Sequence, residues 1–119
     1  MKKVFYAILL MIWCTQSMQA QVPAFPGADG YGRYSKGGRG GAVYYVTTLK
    51  DADSVGTFRY AVTHLTNTTI LFKVSGTIHL NSGLSISQSN LTIAGQSAPG
   101  DGICIADYPV TVSGSNLII

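Results

Sequence analysis

Apolar and polar residues alternate in short triplets through the second half of the chain, and the alternation repeats. Leu84-Ser85-Ile86-Ser87-Gln88-Ser89-Asn90-Leu91-Thr92-Ile93 aligns without gaps on Val110-Thr111-Val112-Ser113-Gly114-Ser115-Asn116-Leu117-Ile118-Ile119, with the same displacement at every position. In each copy two apolar-alternating triplets flank a polar corner that ends in Asn. Period-two alternation marks a strand with one buried face, and a repeat of about 20 to 50 residues built from short strands points to a solenoid. Between the copies, residues 94–102 are rich in turn formers and lead into a third triplet, Ile103-Cys104-Ile105. Three short strands per repeat, separated by corners, predict one coil of a parallel β-helix. Such winding sets Leu91 and Leu117 one above the other in an interior column. It also spaces Asn90 and Asn116 for a ladder of side-chain amides at the corner.

The first half carries the same signal more weakly. Val43-Tyr44-Tyr45-Val46-Thr47-Thr48-Leu49 is aromatic and β-branched and predicts the first strand, followed by a polar turn over residues 50–54. The period then changes. Phe58, Ala61, Val62 and Leu65 fall at i, i+3, i+4 and i+7, one apolar face of a helix that starts near Gly56 and Thr57. A lone amphipathic helix ahead of repeating strands is expected to lie across the open end of the solenoid, covering its core and an unpaired strand edge. Residues 69–80 read as two strand fragments around Ser75-Gly76. Ile70, Phe72, Val74, Ile78 and Leu80 face inward there, and Leu71, Lys73 and His79 face outward.

Residues 1–20 stand apart from this pattern. Lys2 and Lys3 precede an apolar run from Val4 to Trp13, and polar Thr15, Gln16 and Ser17 lead to Ala20. That is the layout of a secretory signal peptide, and the apolar run is too short to span a bilayer. Met18 occupies a position where such a cleavage site favours a small residue. Lipid attachment at Cys14 is the alternative, disfavoured by the bulk of Trp13. The expected destination is secreted, periplasmic or extracellular, with residues 21–119 forming one domain. Because the chain stops inside an apolar triplet, it is expected to be the N-terminal part of a longer protein. On its own it should be marginally stable or aggregation-prone, since solenoids need several stacked repeats and a polar cap.

Setting the leader aside changes the charge. The formal net charge of +3 includes Lys2 and Lys3; the remainder balances six cations (Arg33, Lys36, Arg39, Lys50, Arg59, Lys73) against five aspartates (Asp29, Asp51, Asp53, Asp101, Asp107), a net of +1. This excludes the basic field that nucleic-acid binding requires. Cys104 is then the sole cysteine, which rules out an internal disulfide and predicts a buried or shielded thiol.

Candidate chemistry is sparse. Gly37-Gly38-Arg39-Gly40-Gly41 leads into a strand, whereas a phosphate-cradling loop opens a helix, so tight turns with Arg39 stacking or salt-bridging are expected. Asp51 and Asp53 fall short of a calcium loop and suit turn formation or helix capping. His64, near the helix end, is expected to be solvated. Lys73 and His79 lack a neighbouring carboxylate in sequence. Asn67-Thr68-Thr69 and Asn90-Leu91-Thr92 match glycosylation sequons. No metal-ligand cluster, nucleophile with a paired base, or working pair of carboxylates is visible.

Family motifs extend the reading. Ala24-Phe25-Pro26-Gly27-Ala28-Asp29-Gly30-Tyr31-Gly32 and Gly37-Gly38-Arg39-Gly40-Gly41 resemble the opening of the pectate lyase family with the right-handed parallel β-helix fold. Val43-Tyr44-Tyr45-Val46-Thr47 with Leu49-Lys50-Asp51 is similar to its first strand and turn. Gly56-Thr57-Phe58-Arg59-Tyr60-Ala61-Val62 resembles its end-capping helix, although Ser-Leu-Arg is commoner there. Phe72-Lys73-Val74-Ser75-Gly76-Thr77-Ile78 and residues 91–103 resemble its first full coil. The resemblance covers nearly all of residues 24–119. It implies an exported, monomeric enzyme that cleaves polygalacturonate, or pectin, by β-elimination. In that family Ca²⁺ held by Asp and Glu grips the uronate carboxylate and acidifies the C5 proton, an Arg removes that proton, and the C4 oxygen leaves. The resemblance places the catalytic Arg and the calcium ligands beyond Ile119 and gives structural positions to Arg33, Arg39 and Arg59. No catalytic, substrate-binding or metal residue is assigned within the chain, which is expected to be inactive alone. A non-catalytic β-solenoid that binds glycans or mediates adhesion is the alternative, because fold does not fix function. A β-helix hydrolase would require paired carboxylates in the same missing region.

Overall fold

The computed structural model describes residues 1–13 and 20–119. Helix α1 spans Lys2–Trp13 over the apolar run, and residues 2–9 are exposed. Cys14 and Met18, which bear on the lipidation and cleavage readings, lie outside the described residues. Among the described residues no helix is long and apolar enough to cross a membrane.

Among the described residues, eight short strands follow: β1 Ala42–Val46, β2 Thr68–Phe72, β3 Gly76–His79, β4 Leu84–Ile86, β5 Leu91–Ala94, β6 Ile103–Ala106, β7 Val110–Val112 and β8 Leu117–Ile118. They form three parallel sheets ordered β1-β2-β5-β8, β3-β6 and β4-β7. Chain order and sheet order interlock, since β2, β3 and β4 pair in turn with β5, β6 and β7. Leu91 is the register partner of Leu117, as the repeat predicts, and Leu84 of Val110.

The displacement between partners is the same for β4–β7 (Leu84 to Val110) and β5–β8 (Leu91 to Leu117). It is shorter for β2–β5, where Thr68 meets Leu91, and slightly longer for β3–β6, where Gly76 meets Ile103. Corner lengths absorb the difference, so the gapless repeat holds for the β4–β7 and β5–β8 pairs and not for β2–β5 or β3–β6.

The core fills the space the sheets enclose. Val46, Ile70, Phe72, Ile78, Leu80, Leu84, Ile86, Leu91 and Ile93 are buried there. Helix α2, Phe58–His64, packs against β1 and β4 and adds Phe58, Ala61 and Val62 to this cluster. The rings of Phe58 and Phe72 lie 5.7 Å apart. Thr57 caps α2, its hydroxyl accepting from the Tyr60 N–H at 3.3 Å and donating to the carbonyls of Ala52 and Ser54.

Strand β1 ends at Val46, short of the expected Leu49. The Thr47 N–H turns to the Gly56 carbonyl at 2.9 Å, and Leu49 folds back to pack on the core. The glycines of residues 37–41 serve close approach. A Cβ at Gly38 would lie 2.2 Å from the Thr68 carbonyl oxygen, and one at Gly41 would lie 1.7 Å from the Asn67 oxygen. This N-terminal arm is bonded directly onto the first sheet and its corner: the Gly38 N–H donates to Thr92 Oγ1 at 3.0 Å, and the Lys36 N–H to Asn116 Oδ1 at 2.7 Å.

Candidate functional site

The outward face of β3 and the loop that precedes α2 form a groove. Strand alternation sends Ile78 and Leu80 inward, so Thr77 and His79 must point out, and the loop of residues 48–52 runs alongside them. Thr48, Leu49, Lys50, Asp51, Thr77, His79 and Asn81 line a cavity of about 530 Å³, within the range of roughly 300–1,000 Å³ common for ligand pockets.

A clamp fixes one wall. The Asp51 carboxylate side chain is 1% exposed and accepts from Arg59 Nε at 2.6 Å and Nη2 at 2.8 Å, a two-pronged pair. It also accepts from the Asn81 N–H at 2.7 Å, while Asn81 Nδ2 donates to the Asp51 carbonyl at 2.9 Å. Arg59 reaches on to the carbonyls of Ser82 and Gly83. The hydrogen bond from Arg59 holds the Asp51 carboxyl below its usual range, against the opposing effect of burial and with help from the Asn81 N–H. The same bond raises Arg59. The sequence suggests turn formation or helix capping for Asp51; Thr57 does the capping, and Asp51 is instead half of a charge pair linking three segments.

On the other wall, His79 Nδ1 lies 2.8 Å from Asp107 Oδ2. Asp107 holds a left-handed backbone, φ 83°, at the end of β6. No carboxylate is near His79 in sequence, and the pairing of His79 with Ala106 across the sheet supplies one. His64 is exposed, as expected, and also finds a partner, with Nε2 2.7 Å from Asp53 Oδ1. Lys73 sits 4.0 Å above the centre of the Tyr45 ring. Cys104 departs from expectation: its thiol is exposed, because Ile103 and Ile105 take the inward positions of β6.

The arginines have defined tasks. Arg39 donates from Nη2 to the carbonyls of Pro23 (2.8 Å) and Ala24 (3.1 Å), tying down the arm in place of the stacking or salt bridge that the sequence suggests. Arg33 lies 4.9 Å over the Tyr34 ring and 3.9 Å from Asp29. Among the described residues no three His, Cys, Asp or Glu side chains converge. Asp51, Asp53 and Asp107 are each turned to a different cation or imidazole, so these carboxylates do not fit a calcium site.

No family model matches the chain. Its sequence is similar to several proteins named probable pectate lyase C. Identity is 48% over 82 residues with that of Emericella nidulans, covering 69% of this chain and 19% of the relative. With that of Aspergillus terreus it is 40% over 99 residues, covering 83% and 23%, and with that of Aspergillus fumigatus 44% over 91 residues, covering 76% and 21%. The chain belongs to the pectate lyase family. It spans about a fifth of the length of the curated relatives it matches. The pectate lyase motifs recognised in the sequence fall on the arm, β1, α2 and the strands that follow, and the groove lies between two of them.

The groove residues themselves carry little signal in the sequence. Asn81 falls between predicted elements, and Lys50 reads as an ordinary turn residue. The displacement that pairs Gly76 with Ile103, applied to His79, brings Ala106 and hence Asp107 alongside it.

Proposed function

We propose that the chain forms the opening of a right-handed parallel β-helix, residues 21–119, in an exported lyase that cleaves polygalacturonate by calcium-dependent β-elimination. The observation that carries this reading is 40–48% identity to proteins named pectate lyase over most of the chain. The interlocked parallel pairing supports the β-helix, because strands that pair in chain order one layer on describe a winding path. Residues 1–20 act in this reading as the export signal. The calcium ligands and the proton-abstracting Arg lie outside these 119 residues, consistent with the engagement of every arginine described above. What this chain contributes is a rigid end to the helix and the start of one face.

Ultraviolet absorbance of the unsaturated product, followed with polygalacturonate in the presence of Ca²⁺, tests the proposal. A product of the relatives' length, expressed from the complete coding sequence, should turn over and stop when the metal is chelated. The 119-residue chain should give none. Turnover by the short chain would overturn the placement of the machinery, and silence of the long one would overturn the lyase reading.

A further inference from the structure

We infer that Asp29 is a site of self-modification, at which the folded N-terminal arm converts its own Asp-Gly bond to an isoaspartyl linkage with water as the only co-reactant. Asp is followed by Gly at two places, Asp29-Gly30 and Asp101-Gly102. Glycine adds no side chain to crowd the amide nitrogen, so sequence alone gives the two sites equal reactivity. Both aspartates are exposed. What differs is where each glycine nitrogen is directed. The Gly30 N–H donates to Oδ1 of Asp29 itself at 2.7 Å, and it has no backbone acceptor among the described residues. The Gly102 N–H instead donates to the Pro99 carbonyl at 3.2 Å, and the Gly102 carbonyl accepts from the Gly76 N–H at 3.0 Å. That nitrogen is committed to a turn anchored on β3.

The chemistry follows from this placement. Asp29 Cγ is bonded to the oxygen that faces the Gly30 nitrogen, which brings it near the separation of about 3–3.5 Å from which reacting atoms combine most readily. With the carboxyl protonated, the nitrogen adds to Cγ and its proton passes to the carboxyl oxygen. A Cγ–O bond then breaks and water leaves, closing a succinimide ring. Water returns freely, since the side chain is 94% exposed, and adds to either ring carbonyl. Opening between the nitrogen and the α-carbonyl carbon leaves the chain running through Cβ and Cγ, a methylene longer, with the former α-carbonyl as a free carboxylate. Mass and oxidation state are unchanged. The added methylene falls in a segment closed by short bonds, from the Ala24 N–H to the Arg33 carbonyl at 2.7 Å and from the Arg33 N–H to the Gly30 carbonyl at 3.3 Å. Isomerisation therefore loosens the arm that Arg39 ties down.

Ageing the full chain in warm, mildly acidic buffer tests this, followed by denaturation and digestion with an endoproteinase that cleaves before Asp but not before isoaspartate. Mass spectrometry should find resistance building at least fivefold faster at Asp29 than at Asp101. In urea both nitrogens are free, and the two sites should then react at equal rates. A second measurement uses Asp29→Asn and Asp101→Asn, each at an exposed position, where the same ring closure expels ammonia and is read as the mass gain of deamidation. The first variant should deamidate at least fivefold faster than the second in the folded chain. Equal rates at the two sites in the folded chain, or a preference for Asp29 that persists in urea, would overturn the inference. A chain that stays fully cleavable before Asp29 throughout would do the same.

Discussion

Asn67, Asn90 and Asn116 all take the left-handed backbone, with φ of 50°, 59° and 56°, which non-glycine residues other than Asn and Asp seldom adopt. Each ends a corner just before a strand of the first sheet, and the ladder expected for the last two forms: Asn116 Nδ2 donates to Asn90 Oδ1 at 2.6 Å. Asn116 Oδ1 meanwhile accepts from the Lys36 N–H at 2.7 Å, so this one amide joins the corner to the N-terminal arm. Asn116→Ala should lower stability by roughly 1–3 kcal/mol, through lost hydrogen bonds and an alanine at positive φ. Asn116→Gly removes the same bonds but relieves the backbone, and should cost about 1 kcal/mol less. Urea unfolding of both variants checks this order; equal losses would show that the amide, not the backbone, is the whole effect. The ladder is legible in the sequence because its two members hold equivalent positions in the gapless repeat. The third left-handed asparagine is not, because the β2–β5 register has a shorter displacement than the repeat.

At the scale of elements, the loop before α2, the helix itself and the corner between β3 and β4 are joined by Asp51 and Arg59. The helical period reveals α2 and its buried face from sequence, since Phe58, Ala61 and Val62 have only one way to be covered together. The charge pair stays hidden because its members are separated by a loop, a spacing that sequence periodicity does not interpret. His79 and Asp107 are hidden for a related reason, their partnership arising from cross-sheet register and not from neighbourhood along the chain. The Asp51 carboxyl is held below its ordinary value in the fold. A depressed carboxylate contributes stability that is present above the unfolded value, about pH 3.9, and is lost as pH falls through the folded one. Asp51→Asn should therefore cost about 2–3 kcal/mol at neutral pH, where Arg59 would be left partly buried and unpaired. The gap between wild type and variant should close as pH is lowered below about 4. Thermal melts of both proteins from neutral pH down through the carboxylate range measure it. A gap that stays constant would show that the pair contributes through packing alone.

At the scale of the whole chain, the two edges of the parallel sheets are unlike. Helix α2 covers the core at one end, with Phe58, Ala61 and Val62 buried almost completely. At the other, β6, β7 and β8 each pair on one side only among the described residues. Val110 and Val112, whose register partners Leu84 and Ile86 are buried, are themselves 39% and 50% exposed. Unpaired strand edges backed by exposed apolar columns are templates for further pairing. The 119-residue chain should therefore associate reversibly through this end as its concentration rises, with a melting temperature that climbs in step. Val112→Lys places a charge in the exposed column and should hold the chain monomeric at concentrations where the wild type associates. Sedimentation velocity across a hundredfold concentration range distinguishes the cases. A wild-type chain that stays monomeric throughout, with a cooperative melt independent of concentration, would mean that these few layers of strands and one capping helix suffice to close this core.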